Sequence, residues 1–257
     1  MKNWKSLAAA LLLLSMPAVV QAEPAAVEAA VANADRSEPD TAMDESRQPA
    51  AVLQFLGLEE GDRVLDVMAG GGYYTELMAR AVGPEGHVVG QNPPGVVEAY
   101  SLGPVFERRG YGAERLPNAE RLDVEFADAA FEPNSFDFAL FHMVLHDLWH
   151  ENPPALPRTE PADFLAALYT GMKPGGIVGV VDHVGTDAAD PRGEVGRLHR
   201  IDPQVVRAAM EEAGFVHEEE SDLLRNPEDT HEVNVFDPAI RGRTDRFVYR
   251  FRKPPEE

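Results

Sequence analysis

Beyond the apolar run Phe136-Asp137-Phe138-Ala139-Leu140-Phe141 the chain continues His142-Met143-Val144-Leu145-His146-Asp147-Leu148-Trp149-His150. Imidazole is the side chain that titrates nearest neutrality, so His146 can take a proton from a hydroxyl, and Asp147 or another carboxylate can orient its ring. His142, His146 and His150 also recur every four residues, a spacing that on a helix aligns them on one face, where they can hold a metal. The two-histidine zinc-protease pattern needs glutamate directly after its first histidine, and Met143 stands there. Ordinary polar packing, a proton acceptor at His146 and a metal cluster are the three readings this stretch leaves open.

A second chemical stretch lies upstream. Val64-Leu65-Asp66-Val67-Met68-Ala69-Gly70-Gly71-Gly72-Tyr73-Tyr74 is a β-prone run ending in an acid, then three glycines, then a helix expected over Thr75–Val82. Glycines there let main chain approach a ligand that side chains would keep away. The stretch resembles the first motif of the class I S-adenosylmethionine-dependent methyltransferases. Asp66, Gly70 and Gly72 match the family's acid and its second and third glycines, and Met68 stands at the first.

The resemblance implies S-adenosylmethionine as cofactor, contacted by Asp66, Ala69, Gly70, Gly71, Gly72 and Tyr73. Its ribose would meet Gln91 and Asn92, where the fold usually carries an acid, and its adenine would meet Asp128. Val144-Leu145-His146-Asp147-Leu148-Trp149 resembles the Leu-His-Asp-Trp stretch of small-molecule O-methyltransferases, in which the histidine is the general base. His146 and Asp147 are therefore the expected catalytic pair, with His142, Trp149, His183, Arg225 and Asn234 expected around the substrate.

The elements needed to position these groups follow in order. Pro49 opens an amphipathic helix through Val52, Leu53 and Leu56 that Gly57 closes. Strands are expected at His87–Gly90, Leu122–Phe126, Phe136–Phe141, Ile177–Val181, Phe215–Glu219 and Arg246–Phe251. Helices are expected at Phe164–Met172, stopped by Lys173-Pro174-Gly175-Gly176, and at Pro203–Ala213 behind the cap Asp202. Glu151–Pro161 reads as a proline-rich loop, and Ser221–Thr244 as a long flap facing substrate. The family resemblance implies an α/β, Rossmann-like, doubly wound seven-stranded sheet of order 3-2-1-4-5-7-6 with the last strand antiparallel. It is nearest to uncharacterised exported bacterial proteins that share Gly-Gly-Gly-Tyr-Tyr and the run Asn234-Val235-Phe236-Asp237-Pro238.

Length and charge bound the rest. The 257 residues suit one domain, here 48–253, behind a signal peptide at 1–22 and an arm at 23–47 that carries a short helix or lies loose. The leader combines Lys2, Lys5 and the run Leu7–Leu14 with small residues before a cleavage site after Ala22, which predicts a periplasmic or secreted protein. The run falls short of the roughly 20 residues that span a bilayer, so no stable membrane anchor is expected. A formal charge of −21 argues against nucleic acid and anionic membrane surfaces as partners. The absence of cysteine removes disulfides, thiolate metal sites and thiol nucleophiles.

The function expected from the sequence is S-adenosylmethionine-dependent methylation of a small molecule, with His146 as base. Two alternatives stay open: a non-catalytic periplasmic binder of an adenosyl or small polar ligand, and a metal-dependent enzyme built on His142, His146 and His150. The oligomeric state is not legible.

Overall fold

The computed structural model describes residues 24–255; the leader and its cleavage site lie outside the described residues. Four short helices come first: α1 (Pro24–Val31), α2 (Glu38–Thr41), α3 (Asp44–Arg47) and α4 (Pro49–Leu56). The chain then alternates β1 (Arg63–Val67), α5 (Tyr73–Ala81), β2 (His87–Asn92), α6 (Pro94–Ala99), α7 (Gly103–Arg109), β3 (Ala119–Asp123) and β4 (Phe136–His142). After a long loop follow α8 (Pro161–Gly171), β5 (Met172–His183), α9 (Pro191–Leu198), α10 (Pro203–Glu212), β6 (Val216–Ser221) and β7 (Arg246–Arg252). The seven strands form one sheet in the order β3-β2-β1-β4-β5-β7-β6, with β7 antiparallel to both its neighbours, as the sequence implied.

The central strands are apolar on both sides because both faces are covered. In β4, Ala139 and Phe141 enter the core under α8 and α10, whereas Phe138 and Leu140 enter the one under α1, α4 and α5. Val52, Leu53 and Leu56 of α4 are fully buried, and Gly57 ends that helix in the left-handed conformation at φ 79°.

Several boundaries differ from expectation. The third strand runs from Ala119 to Asp123 rather than Leu122–Phe126, because β2 pairs with it from Val88↔Ala119 to Asn92↔Asp123. Phe126 instead plugs the core from a 3-10 turn, 5.0 Å from Phe164. Lys173–Gly176 belongs to β5 and is not a helix stop; Lys173 pairs with Asp137 at 2.7 Å and a register shift absorbs the glycines. The segment before α4 is not a loose arm. Val27 and Ala30 of α1 are buried against α5, and Arg36 binds Asp44, whose carboxylate also accepts from Tyr73 Oη at 2.6 Å. Among the described residues no helix is long and apolar enough to cross a membrane.

Candidate active site

At the carboxyl end of β1 the chain turns back over itself. Met68 has φ 47°, so it takes the left-handed conformation of the glycine it replaces, at a cost of about 1–2 kcal/mol. Gly70 (φ 55°) and Gly72 (φ 79°) complete the turn, and a β-carbon at Gly72 would lie 1.8 Å from Tyr111 Oη. α5 then starts at Tyr73, two residues earlier than expected. Arg109 ties the turn to the first helices: its Nε donates to Gly71 O at 2.8 Å while its other nitrogens meet Glu76 and Asp40. Burial would raise the Glu76 pKa, but Arg115, Arg80 and Arg109 hold it below the carboxylate range.

Four main-chain amides of this turn are already engaged. Met68 N–H donates to Gln91 Oε1 (3.0 Å), Ala69 N–H to Gln91 O (2.9 Å), Gly70 N–H to Asn92 Oδ1 (2.8 Å) and Gly72 N–H to Ala69 O (2.9 Å). A nest for diphosphate needs such donors free. The turn thus suits a ligand that lies against it by shape, without phosphate.

Gln91 and Asn92 are consequently corrected as ribose contacts. Both are buried, Gln91 Nε2 donates to Val124 O at 2.7 Å, and the two amides serve as struts behind the glycine turn. Asp66 is also behind it, accepting from Thr75 Oγ1 at 2.6 Å, with burial pushing its pKa up to about 7. Asp128 is exposed on the 3-10 turn and is not among the residues that line the cavity.

A cavity of about 600 Å³ opens in front of the turn and is walled by Met68, Ala69, Gly70, Gly71 and Tyr73 on one side. His142, His146, Asp147, His150, His183 and His199 also wall it. The three histidines spaced by four do not share a helix face, since β4 ends at His142 and Leu145–Leu148 is a 3-10 turn. The tertiary fold gathers a different set. His146 Nδ1 lies 2.8 Å from Asp182 Oδ1, and Asp182 Oδ2 accepts from His146 N–H at 2.8 Å, so the ring is oriented by the end of β5. Asp147 lies instead on the far side, 3.7 Å from Nε2. His199, in the left-handed conformation (φ 51°) that caps α9, brings its ring to 5.6 Å from that of His146 and 4.6 Å from that of His150.

Burial pulls the His146 pKa down, but the carboxylates of Asp182 and Asp147 outweigh it and raise it to about 9. Burial lifts Asp147 to about 6. The same burial depresses His199 to about 4 and His183 to about 3, so both are neutral. Among the described residues, His142 Nε2 and His150 Nδ1 are buried without a hydrogen-bond partner.

The remaining expected substrate contacts divide. His183 lines the cavity and bonds Thr244 Oγ1 at 2.7 Å. Trp149 is packed in the core and Arg225 is paired with Asp245 at 2.8 Å, so neither lines the cavity. Asn234 bonds Arg197 O and Phe236 N–H, which turns the flap so that Val235 and Phe236 face the cavity in its place. Asp40, Met43 and Arg47 of the first helices and Arg109 of α7 also reach the wall. The sequence reading missed them, though the alternation of acids and arginines from Arg36 to Arg47 was a signal that those helices are pinned by ion pairs.

The solved structure of an S-adenosylmethionine-dependent methyltransferase from Aquifex aeolicus superposes with a TM-score of 0.57 at 21% identity, covering 90% of this chain and 98% of that one. Residues 33–98 match the family model of protein-L-isoaspartate(D-aspartate) O-methyltransferase. The fold is that of the S-adenosylmethionine-dependent methyltransferases. Demethylmenaquinone methyltransferase of Staphylococcus aureus is 28% identical over 134 residues, 49% of this chain and 45% of that protein, so the match spans about half of the curated relative. The [4+2]-cyclase SpnF has the same fold (TM-score 0.55, 20% identity, 88% of this chain and 86% of that one), so the superfamily fold by itself does not name a reaction. S-adenosylmethionine is the cofactor that likeness to these methyltransferases implies, and the residues present fit it. The turn offers shape without phosphate donors, open space lies beside Gly70, and Arg47, stacked 4.4 Å over Tyr73, supplies a cation to a carboxylate.

Proposed function

We propose that the protein transfers the methyl group of S-adenosylmethionine to a hydroxyl of a small molecule. One observation carries this reading: the glycine turn and the His146 imidazole wall the same cavity. Nδ1 of His146 is held by Asp182, which leaves Nε2 as the nitrogen available to an acceptor. In the fraction of the protein whose His146 is deprotonated, which grows as pH approaches its raised pKa of about 9, the hydroxyl proton passes to Nε2 as the oxygen–methyl bond forms and the methyl–sulfur bond breaks, leaving the neutral thioether. Alignment of the three atoms supplies much of the acceleration. The cavity volume, shared with the cofactor, favours a small acceptor, and the exposed aromatics Tyr100 and Phe236 at its wall favour an apolar or planar one. Action beyond the inner membrane rests on Lys2, Lys5 and the Leu7–Leu14 run alone.

The test uses methyl-labelled S-adenosylmethionine, the protein and the small molecules of the culture medium. Label should enter one product, and His146→Ala should abolish that transfer while calorimetric affinity for the cofactor stays within threefold. An unchanged rate would remove His146 from the chemistry. A second reading, a non-catalytic binder, is favoured by Gln91 being committed to Met68 and Val124. It predicts that the cofactor or its demethylated product binds and no label moves.

A further inference from the structure

We infer that His146, Asp147 and His199 form a binding site for one divalent transition-metal ion in the cavity wall. Each offers one ligand atom, and the three atoms lie within 4.8 Å of one another. Donors bound tetrahedrally at about 2.1 Å are roughly 3.4 Å apart, so small side-chain rotations close the set around an ion. Two imidazoles and a carboxylate are the donors that suit zinc, iron(II), cobalt and nickel, and they leave positions open for a ligand.

Three further observations point the same way. Asp182 holds His146 Nδ1 at 2.8 Å, the outer carboxylate that typically orients a metal-binding imidazole and strengthens its other nitrogen as a donor. His150 Nδ1 is buried without a partner among the described residues, and its ring stands 4.6 Å from that of His199, where it is placed to serve as a fourth donor. Every one of these groups except Asp182 lines the open cavity, which gives an ion a path in. The three donors come from the turn after β4 and the end of α9, so the set exists only once β5 and α9 have packed.

Binding of the ion does not depend on methyl transfer, but it refines that reading. With an ion in place, His146 Nε2 is a ligand, and the ion takes over the polarisation of an acceptor oxygen that the imidazole performs in the metal-free protein.

The experiment uses the full chain without a polyhistidine tag, stripped with a chelator, dialysed and titrated with Co²⁺ while visible absorption and heat are followed. One equivalent should bind and give ligand-field bands, and His199→Ala and Asp147→Asn should each weaken uptake at least tenfold, with circular dichroism and thermal midpoint establishing that both fold. His217→Ala, on the distant strand β6, should bind as the unchanged protein does. Absence of saturable one-to-one uptake, or uptake that neither cavity variant weakens, overturns the site. Calorimetry of the metal-free protein with S-adenosylmethionine reports separately. Cobalt uptake without cofactor binding keeps the metal site and removes the methyl-transfer reading, and cofactor binding without cobalt uptake does the reverse.

Discussion

The two walls of the cavity are built on opposite principles. Along the glycine turn, the amides of residues 68, 69, 70 and 72 are bonded to Gln91, Asn92 and Ala69, and Asp66 behind them accepts from Thr75 Oγ1, so the wall offers a surface of fixed shape. Around His146 the reverse holds: among the described residues His142 Nε2 and His150 Nδ1 are buried without a hydrogen-bond partner, and Asp147 approaches Nε2 only to 3.7 Å. Burying polar atoms unpaired costs about 1–3 kcal/mol each, and a fold retains that cost where a ligand later supplies the partner. One wall therefore holds by fit, and the other retains unused bonding capacity for chemistry.

Gly72→Val gives the largest break in that contrast. With φ 79° and a β-carbon 1.8 Å from Tyr111 Oη, the turn cannot keep its shape, so calorimetry should find affinity for S-adenosylmethionine reduced more than a hundredfold, with a lower melting point. Asp182→Asn attacks the other wall. An amide cannot accept from His146 N–H, His183 N–H and the imidazole together, and it favours the wrong tautomer, so labelled-methyl turnover should fall by roughly 10²–10⁴ while cofactor affinity holds within threefold. A rate within fivefold of the original would mean that Asp182 only supports the fold.

Gln91→Glu tests whether the end of β2 is a strut. The change removes the donor to Val124 O and buries a charge beside that carbonyl, so denaturant unfolding should show a loss of about 2–4 kcal/mol with no tighter cofactor binding. Tighter binding at unchanged stability would restore the ribose role.

The smallest expected effect concerns pH. Burial raises Asp66 and Asp62 to about 7 in the native protein, against 3.8 for the free side chain, so the folded state holds these protons more tightly. On these two groups alone stability falls as pH rises from about 4 to 7, because unfolding then releases their protons, while His183 and His199, depressed to about 3 and 4, act in the opposite sense up to about 6.5. Asp66→Asn keeps an acceptor for Thr75 Oγ1 and removes one such group, so the drop in thermal midpoint between pH 5 and pH 8 should shrink by a few degrees. An unaltered profile would show that Asp66 is ionised throughout.

Much of the frame was legible because its signals are local. The Gly70-Gly71-Gly72 turn, the paired apolar faces of β4 and the cap-and-proline start of α10 each depend on neighbours a few residues away, and all three appear where their patterns lie. Asp128 and Gln91 show the limit of motif transfer. Their sequence positions match the fold, but one side chain is exposed and the other is consumed by Met68 and Val124. Arg225 and Asn234 hold the segment between β6 and β7 in place, and the apolar Val235 and Phe236 line the cavity.

From residue order alone came the strand-turn-helix at Gly70–Gly72, since propensity, periodicity and glycine's freedom act within one element and its nearest contacts; the doubly wound sheet and the prominence of His146 came with the family resemblance. Packing alone decided which carboxylate serves His146 and which histidine joins it. Asp182 and His199 stand dozens of positions downstream, and only parallel pairing of β4 with β5 and the return of α9 bring them within reach. Interactions of that range carry no periodic trace in a sequence, because the distance that matters to them is closed by the sheet.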